Sequence, residues 1–98
     1  MHTDLSKVLI TGASSGIGEC TARAFASSGY ELYLVARREE RLAQVAQACE
    51  ARGARRVVVS SQDLSIAGQG ASVVRDCIEK LGGLDILVCN AGFGIYGP

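Results

Sequence analysis

The stretch Lys7-Val8-Leu9-Ile10-Thr11-Gly12-Ala13-Ser14-Ser15-Gly16-Ile17-Gly18 decides how this chain is read. Val8-Leu9-Ile10 is a short apolar run, and the segment from Glu19 to Ser28 that follows repeats apolar residues at helical spacing. A buried strand, a glycine-rich turn and a helix that begins inside the turn account for this order. Gly12 carries the chain sharply off the strand, Gly16 lets a ligand lie against the backbone, and Gly18 lets the helix approach the sheet. The first turn of such a helix offers unpaired N–H groups and a partial positive charge, which suit a pyrophosphate. A tight strand-to-helix turn with no ligand is the alternative. No Gly-Lys-Ser/Thr follows, which rules out the phosphate loop of the NTPases.

Outward from this turn the chain alternates strands and helices. Ile17, Cys20, Thr21, Ala24 and Phe25 recur at helical spacing and are expected to face the sheet, with Gly29 ending the helix. Glu31 to Ala36 reads as a second strand. Arg37-Arg38-Glu39-Glu40 leads into a second helix with buried positions Leu42, Val45, Ala46 and Cys49, stopped by Gly53. Arg56 to Ser60 is a short β-branched third strand. Val73, Val74, Cys77, Ile78 and Leu81 mark a third helix stopped by Gly82-Gly83, its start blurred by Gly68 and Gly70. Leu84 to Cys89 is the fourth strand. The expected fold is therefore α/β, β-α-β-α-β-α-β, a doubly wound parallel sheet of the Rossmann type with strand order 3-2-1-4.

Composition narrows the function classes. Ten basic residues balance ten acidic ones, which gives no footprint for nucleic acid or a charged membrane. The apolar fraction is 48%, without a run long enough to span a bilayer, and Met1 to Lys7 lacks the apolar core of a signal peptide. Cys20, Cys49, Cys77 and Cys89 make no C-x-x-C pair. They are expected to be small buried hydrophobes in a reducing, cytoplasmic setting. The single histidine, His2, makes no metal set with them, so no metal site is expected.

The strand ends speak to a cofactor. A dinucleotide site that prefers NAD places an acid at the end of the second strand, on the ribose 2′-hydroxyl. Here the chain reads Ala36-Arg37-Arg38. Arginine suits a 2′-phosphate, so NADP (NADPH) is expected, with Arg37 first and Arg38 second, and Ser14 or Ser15 adding a hydroxyl. The alternative pairs Arg37 and Arg38 with Glu39 or Glu40 in solvent. Asp63 is placed to accept from the adenine amino group, or else to cap a turn. Asn90-Ala91-Gly92 closes the fourth strand, where small residues let a ligand approach and the Asn90 amide can tie strands together, or where the chain simply turns.

Taken in order, Thr11-Gly12-Ala13-Ser14-Ser15-Gly16-Ile17-Gly18, Ala36-Arg37, Asp63-Leu64 and Asn90-Ala91-Gly92 resemble the short-chain dehydrogenase/reductase family over nearly the whole chain. The resemblance implies that Gly12, Ser14, Ser15, Gly16, Ile17 and Gly18 line the phosphates and adenosine ribose. It makes Arg37 the mark of NADP, sets Asp63 and Leu64 beside the adenine, and places Asn90, Ala91 and Gly92 at the border of the cofactor. Cys89 stands where the family often has asparagine. The family's chemistry uses a serine, a Tyr-x-x-x-Lys pair and a further asparagine, and no tyrosine here has that lysine: four residues past Tyr30 stands Leu34, four past Tyr33 stands Arg37, and Tyr96 lies two residues from the last. Residues 1–98 are therefore expected to be the N-terminal, cofactor-binding part of one such domain, with no catalytic residue of their own. The parent would transfer a hydride between nicotinamide and a small carbonyl or alcohol substrate. The alternative is a non-catalytic nucleotide-binding module acting through a partner. The apolar fourth strand is expected to form an open edge that favours a homo-oligomer.

Overall fold

A computed structural model describes residues 6–64 and 66–90. The elements are β1 (Lys7–Thr11), α1 (Gly16–Ser27), β2 (Glu31–Ala36), α2 (Glu39–Arg52), β3 (Arg56–Ser61), α3 (Gln69–Leu81) and β4 (Ile86–Cys89). All pairs are parallel and the sheet order is β3-β2-β1-β4, as the alternating pattern implies. In register, Leu9 of β1 lies between Tyr33 of β2 and Leu87 of β4, so β1 and β2 are the central strands.

Alternation along those strands divides the core in two. Val8, Ile10, Leu32 and Leu34 meet Ala22 and Ala26 of α1 and Leu42, Val45 and Cys49 of α2 on one face. Leu9, Tyr33 and Val35 meet Val73, Cys77 and Leu81 of α3 on the other. Both faces are covered, which is why these strands read as unbroken apolar runs. Glu19 ties the two helices of the first face together, pairing with Arg23 at 2.5 Å and with Arg41 of α2.

Three expectations are corrected. In α1 the buried stripe is Gly18, Ala22 and Ala26, with Phe25 partly buried, while Ile17, Cys20 and Ala24 are exposed. The reason is distance: a Cβ on Gly18 would stand 1.9 Å from the Gly12 carbonyl oxygen, so only glycine fits this contact, and it sets the rotation of the helix. The cysteines likewise divide. Cys49 and Cys77 are buried, but Cys20 sits on the outer face of α1 and Cys89 on the open edge of β4. Finally, β4 begins at Ile86, because Asp85 is used as a bracket. Its backbone N–H donates to Lys7 O at 2.9 Å, and its Oδ2 accepts from the N–H groups of Ser6 and Lys7, each at 3.0 Å. The blurred start of α3 is settled at Gln69, after Gly68 in the left-handed conformation with φ 87°.

Candidate functional site: a cleft at the carboxyl ends of the strands

The carboxyl ends of β1, β2, β3 and β4 open into a cleft of about 730 Å³. Its floor is the turn after β1. Gly12 adopts φ 66°, and the Ala13 N–H donates to Val35 O at 3.0 Å, pinning the turn to β2. Ser15 is the N-cap of α1: its Oγ donates to Gly12 O at 2.8 Å and accepts the Gly18 N–H at 3.2 Å. The N–H groups of Gly16 and Ile17 make no hydrogen bond among the described residues. They lie in the first turn, where the helix dipole is positive, and both residues line the cleft.

The sequence motifs converge here. Gly12, Ser14, Ser15, Gly16 and Ile17 line one wall, Arg37, Arg38, Asp63 and Leu64 another, and Asn90 closes the cleft beside β4. Gly18 lies outside the lining, buried beneath α1 against the Gly12–Ala13 backbone. Ala91 and Gly92 fall outside the described residues. Asn90 is held through its N–H to Thr11 O at 3.2 Å, and its Nδ2 is buried with no partner among the described residues. Leu64 also packs against the α3 core. Val35, Ala36 and Gln62 complete the lining, and of these Val35 and Gln62 were not singled out from the sequence. Gln62 had a signal, since it directly precedes Asp63 at the end of β3.

The charges decide what the cleft can hold. Among the described residues, Arg37 and Arg38 make no ion pair with Glu39 or Glu40; the acids of the first turn of α2 do not neutralise them. The Arg37 carbonyl instead accepts from Ser61 Oγ at 3.1 Å, which fixes the backbone between β2 and α2. A Cβ on Gly16 would meet no atom within 4 Å, so that glycine keeps the floor open. Helix N–H groups and two guanidiniums that have no partner among the described residues, with an open glycine floor, fit an elongated anion carrying phosphates at separate points.

Such a cleft, at the point where a parallel sheet reverses its strand order, marks the Rossmann-like class of α/β proteins, in which that crevice is the usual ligand site. A family model described as short chain dehydrogenase matches residues 6–98, so the chain belongs to that oxidoreductase family. A glucose 1-dehydrogenase from Gluconobacter oxydans is 40% identical over 92 residues, which are 94% of this chain and 35% of the relative. An 11-beta-hydroxysteroid dehydrogenase-like protein 4A from Arabidopsis thaliana is 47% identical over 85 residues, 87% of this chain and 28% of the relative. The crystal structure of L-sorbose reductase from Gluconobacter frateurii, complexed with NADPH and L-sorbose, superimposes with a TM-score of 0.82 at 38% identity, covering 95% of this chain and 35% of that one. The chain thus spans about a third of the length of these relatives.

Proposed function

We propose that this chain is the NADP(H)-binding part of an oxidoreductase that moves a hydride between nicotinamide and a carbonyl or hydroxyl carbon of a small molecule. Bound NADP(H) would supply the hydride chemistry; the residues of this chain bind and orient it. The Gly16 and Ile17 N–H groups receive the pyrophosphate. Arg37, with Arg38 beside it, receives the 2′-phosphate, and Ser14 or Ser15 adds a hydroxyl. Asp63 and Leu64 border the adenine, and Asn90 borders the cofactor beside β4. The observation that carries this reading is the pair of arginines at the end of β2, in the same cleft as the α1 N-terminus and in no ion pair among the described residues. The sorbose reductase that shares this fold is itself complexed with NADPH.

The test is a titration with NADPH and NADH followed by the fluorescence of the reduced cofactor. The wild-type chain is expected to prefer NADPH. Arg37→Ala is expected to weaken NADPH by about 10- to 100-fold, the usual worth of a charge-assisted bond, and to leave NADH unchanged. Equal affinity for the two cofactors in the wild-type chain, or an unaltered preference in Arg37→Ala, overturns the NADP assignment.

A further inference from the structure

The α3 face of the sheet carries a line of polar side chains through an otherwise apolar layer. Tyr33 is fully buried on β2, and its hydroxyl donates to Asp76 Oδ2 on α3. Asp76 pairs in turn with Lys80 Nζ at 3.6 Å. From the other side the Ser60 hydroxyl of β3 acts on the same phenol. Gln62 Nε2 donates to Ser60 Oγ at 2.8 Å, and Gln62 lines the cleft. Polar side chains therefore line this face from α3 across β2 and β3 to the cleft rim. The donors along it follow from chemistry. A carboxylate only accepts, so the Tyr33 proton goes to Asp76. The phenol oxygen is left to accept from Ser60, and the Ser60 oxygen accepts from the Gln62 amide nitrogen.

The consequence falls on Gln62. A free glutamine amide can read adenine with both ends, its oxygen on the 6-amine and its nitrogen on N7. Here the nitrogen is committed to Ser60, and Oε1 is the acceptor that remains. We infer that Gln62 is a specificity residue for the 6-amino group of the base at the adenosine end of the cleft, and that Ser60, backed by Tyr33 and Asp76, is the positioning group that sets which end of the amide meets the base. This rests on the dinucleotide reading above and adds a determinant to it, beside Asp63 on the same rim.

The experiment uses the protein at its natural length, titrated with NADPH and with reduced nicotinamide hypoxanthine dinucleotide phosphate, in which a ring carbonyl replaces the 6-amine. The wild type is expected to prefer the amine. Gln62→Leu is expected to cut the ratio of the two affinities by about two- to tenfold by weakening NADPH, and Ser60→Ala, which frees the amide to turn its nitrogen toward the ring carbonyl, to cut it by a similar factor by tightening the analogue. Ser60→Thr, which keeps the hydroxyl, retains the ratio, and Tyr33→Phe lowers it in the same direction. A purely structural role weakens both dinucleotides together and leaves the ratio unmoved. An unchanged ratio in Gln62→Leu and Ser60→Ala, with NADPH still bound by the wild type, overturns this inference alone. Failure of the wild type to bind either dinucleotide overturns the reading beneath it.

Discussion

Replacing each of two glycines of the same turn by alanine should separate folding from binding. At Gly18 the new methyl would stand 1.9 Å from Gly12 O, 2.8 Å from Gly12 C and 3.0 Å from Ala13 Cα. All three are backbone atoms that cannot rotate away, and Gly12 is itself fixed at φ 66° by the turn. An ordinary carbon–oxygen contact is about 3.3 Å, so α1 must move by more than 1 Å along its whole contact, through its own Ala22 and Ala26, with Val8 and Ile10. Overpacking of this kind costs about 1–3 kcal/mol in ordinary cores, and this contact lies at the severe end. Alanine recovers about 1 kcal/mol of helix propensity. A net loss of about 2 kcal/mol lowers the midpoint of thermal unfolding by roughly 8–16 °C in a domain of this size. At Gly16 the methyl meets nothing within 4 Å, so Gly16→Ala should unfold at the wild-type temperature or slightly above it. Its methyl would occupy the floor where the pyrophosphate is proposed to lie, and NADPH binding should fall at least about tenfold by loss of close approach. Circular dichroism during heating, with a parallel NADPH titration, reads both quantities. A Gly18→Ala variant as stable as wild type refutes the close-packing argument, and a Gly16→Ala variant that binds NADPH normally refutes the cleft-floor argument.

Alkaline pH should expose the buried phenol. Burial first, and then the hydrogen bond to Asp76, push the Tyr33 hydroxyl up to about 12 from its ordinary value of 10.0. The folded state holds the proton more tightly, so this stability is present in full below pH 10 and is lost as the pH rises from 10 to 12, roughly 2–3 kcal/mol in all. Burial likewise raises the Cys77 thiol to about 11 from 9.0, adding a loss of similar size that begins at lower pH. Tyr33→Phe should cost about 1–3 kcal/mol at pH 7, because Asp76 loses its donor, and should flatten the decline above pH 10; a denaturant midpoint that falls as steeply as in wild type contradicts this. At the open edge, Leu87 is half exposed beside an apolar groove of about 270 Å³ bordered by Leu9, Val74 and Cys89. Leu87→Lys should lower self-association of the chain in light scattering, and equal masses for variant and wild type at high concentration refute the edge as the contact.

Most of the fold was legible because the central strands are covered on both faces and so read as apolar runs, and because Gly29, Gly53 and Gly82 close the helices. The site was legible because its parts sit at strand ends, which turn residues mark: Gly12 to Ile17, Arg37 and Arg38, Asp63 and Leu64, and Asn90 all reach one cleft. The sequence by itself determined the alternation of elements, the sheet order, the family and the place where the motifs meet. It misjudged the buried face of α1. Hydrophobic periodicity chooses the larger side chains, while the approach of Gly18 to the Gly12 carbonyl demands the small ones. Nor does any local pattern show that Asp85 leaves its strand to bracket Ser6 and Lys7, 79 and 78 residues away in the chain. The same holds for the path from Asp76 through Tyr33 and Ser60 to Gln62. Those residues belong to α3, β2, β3 and the position just past β3, and only parallel pairing of the strands with a helix laid across one face brings them together.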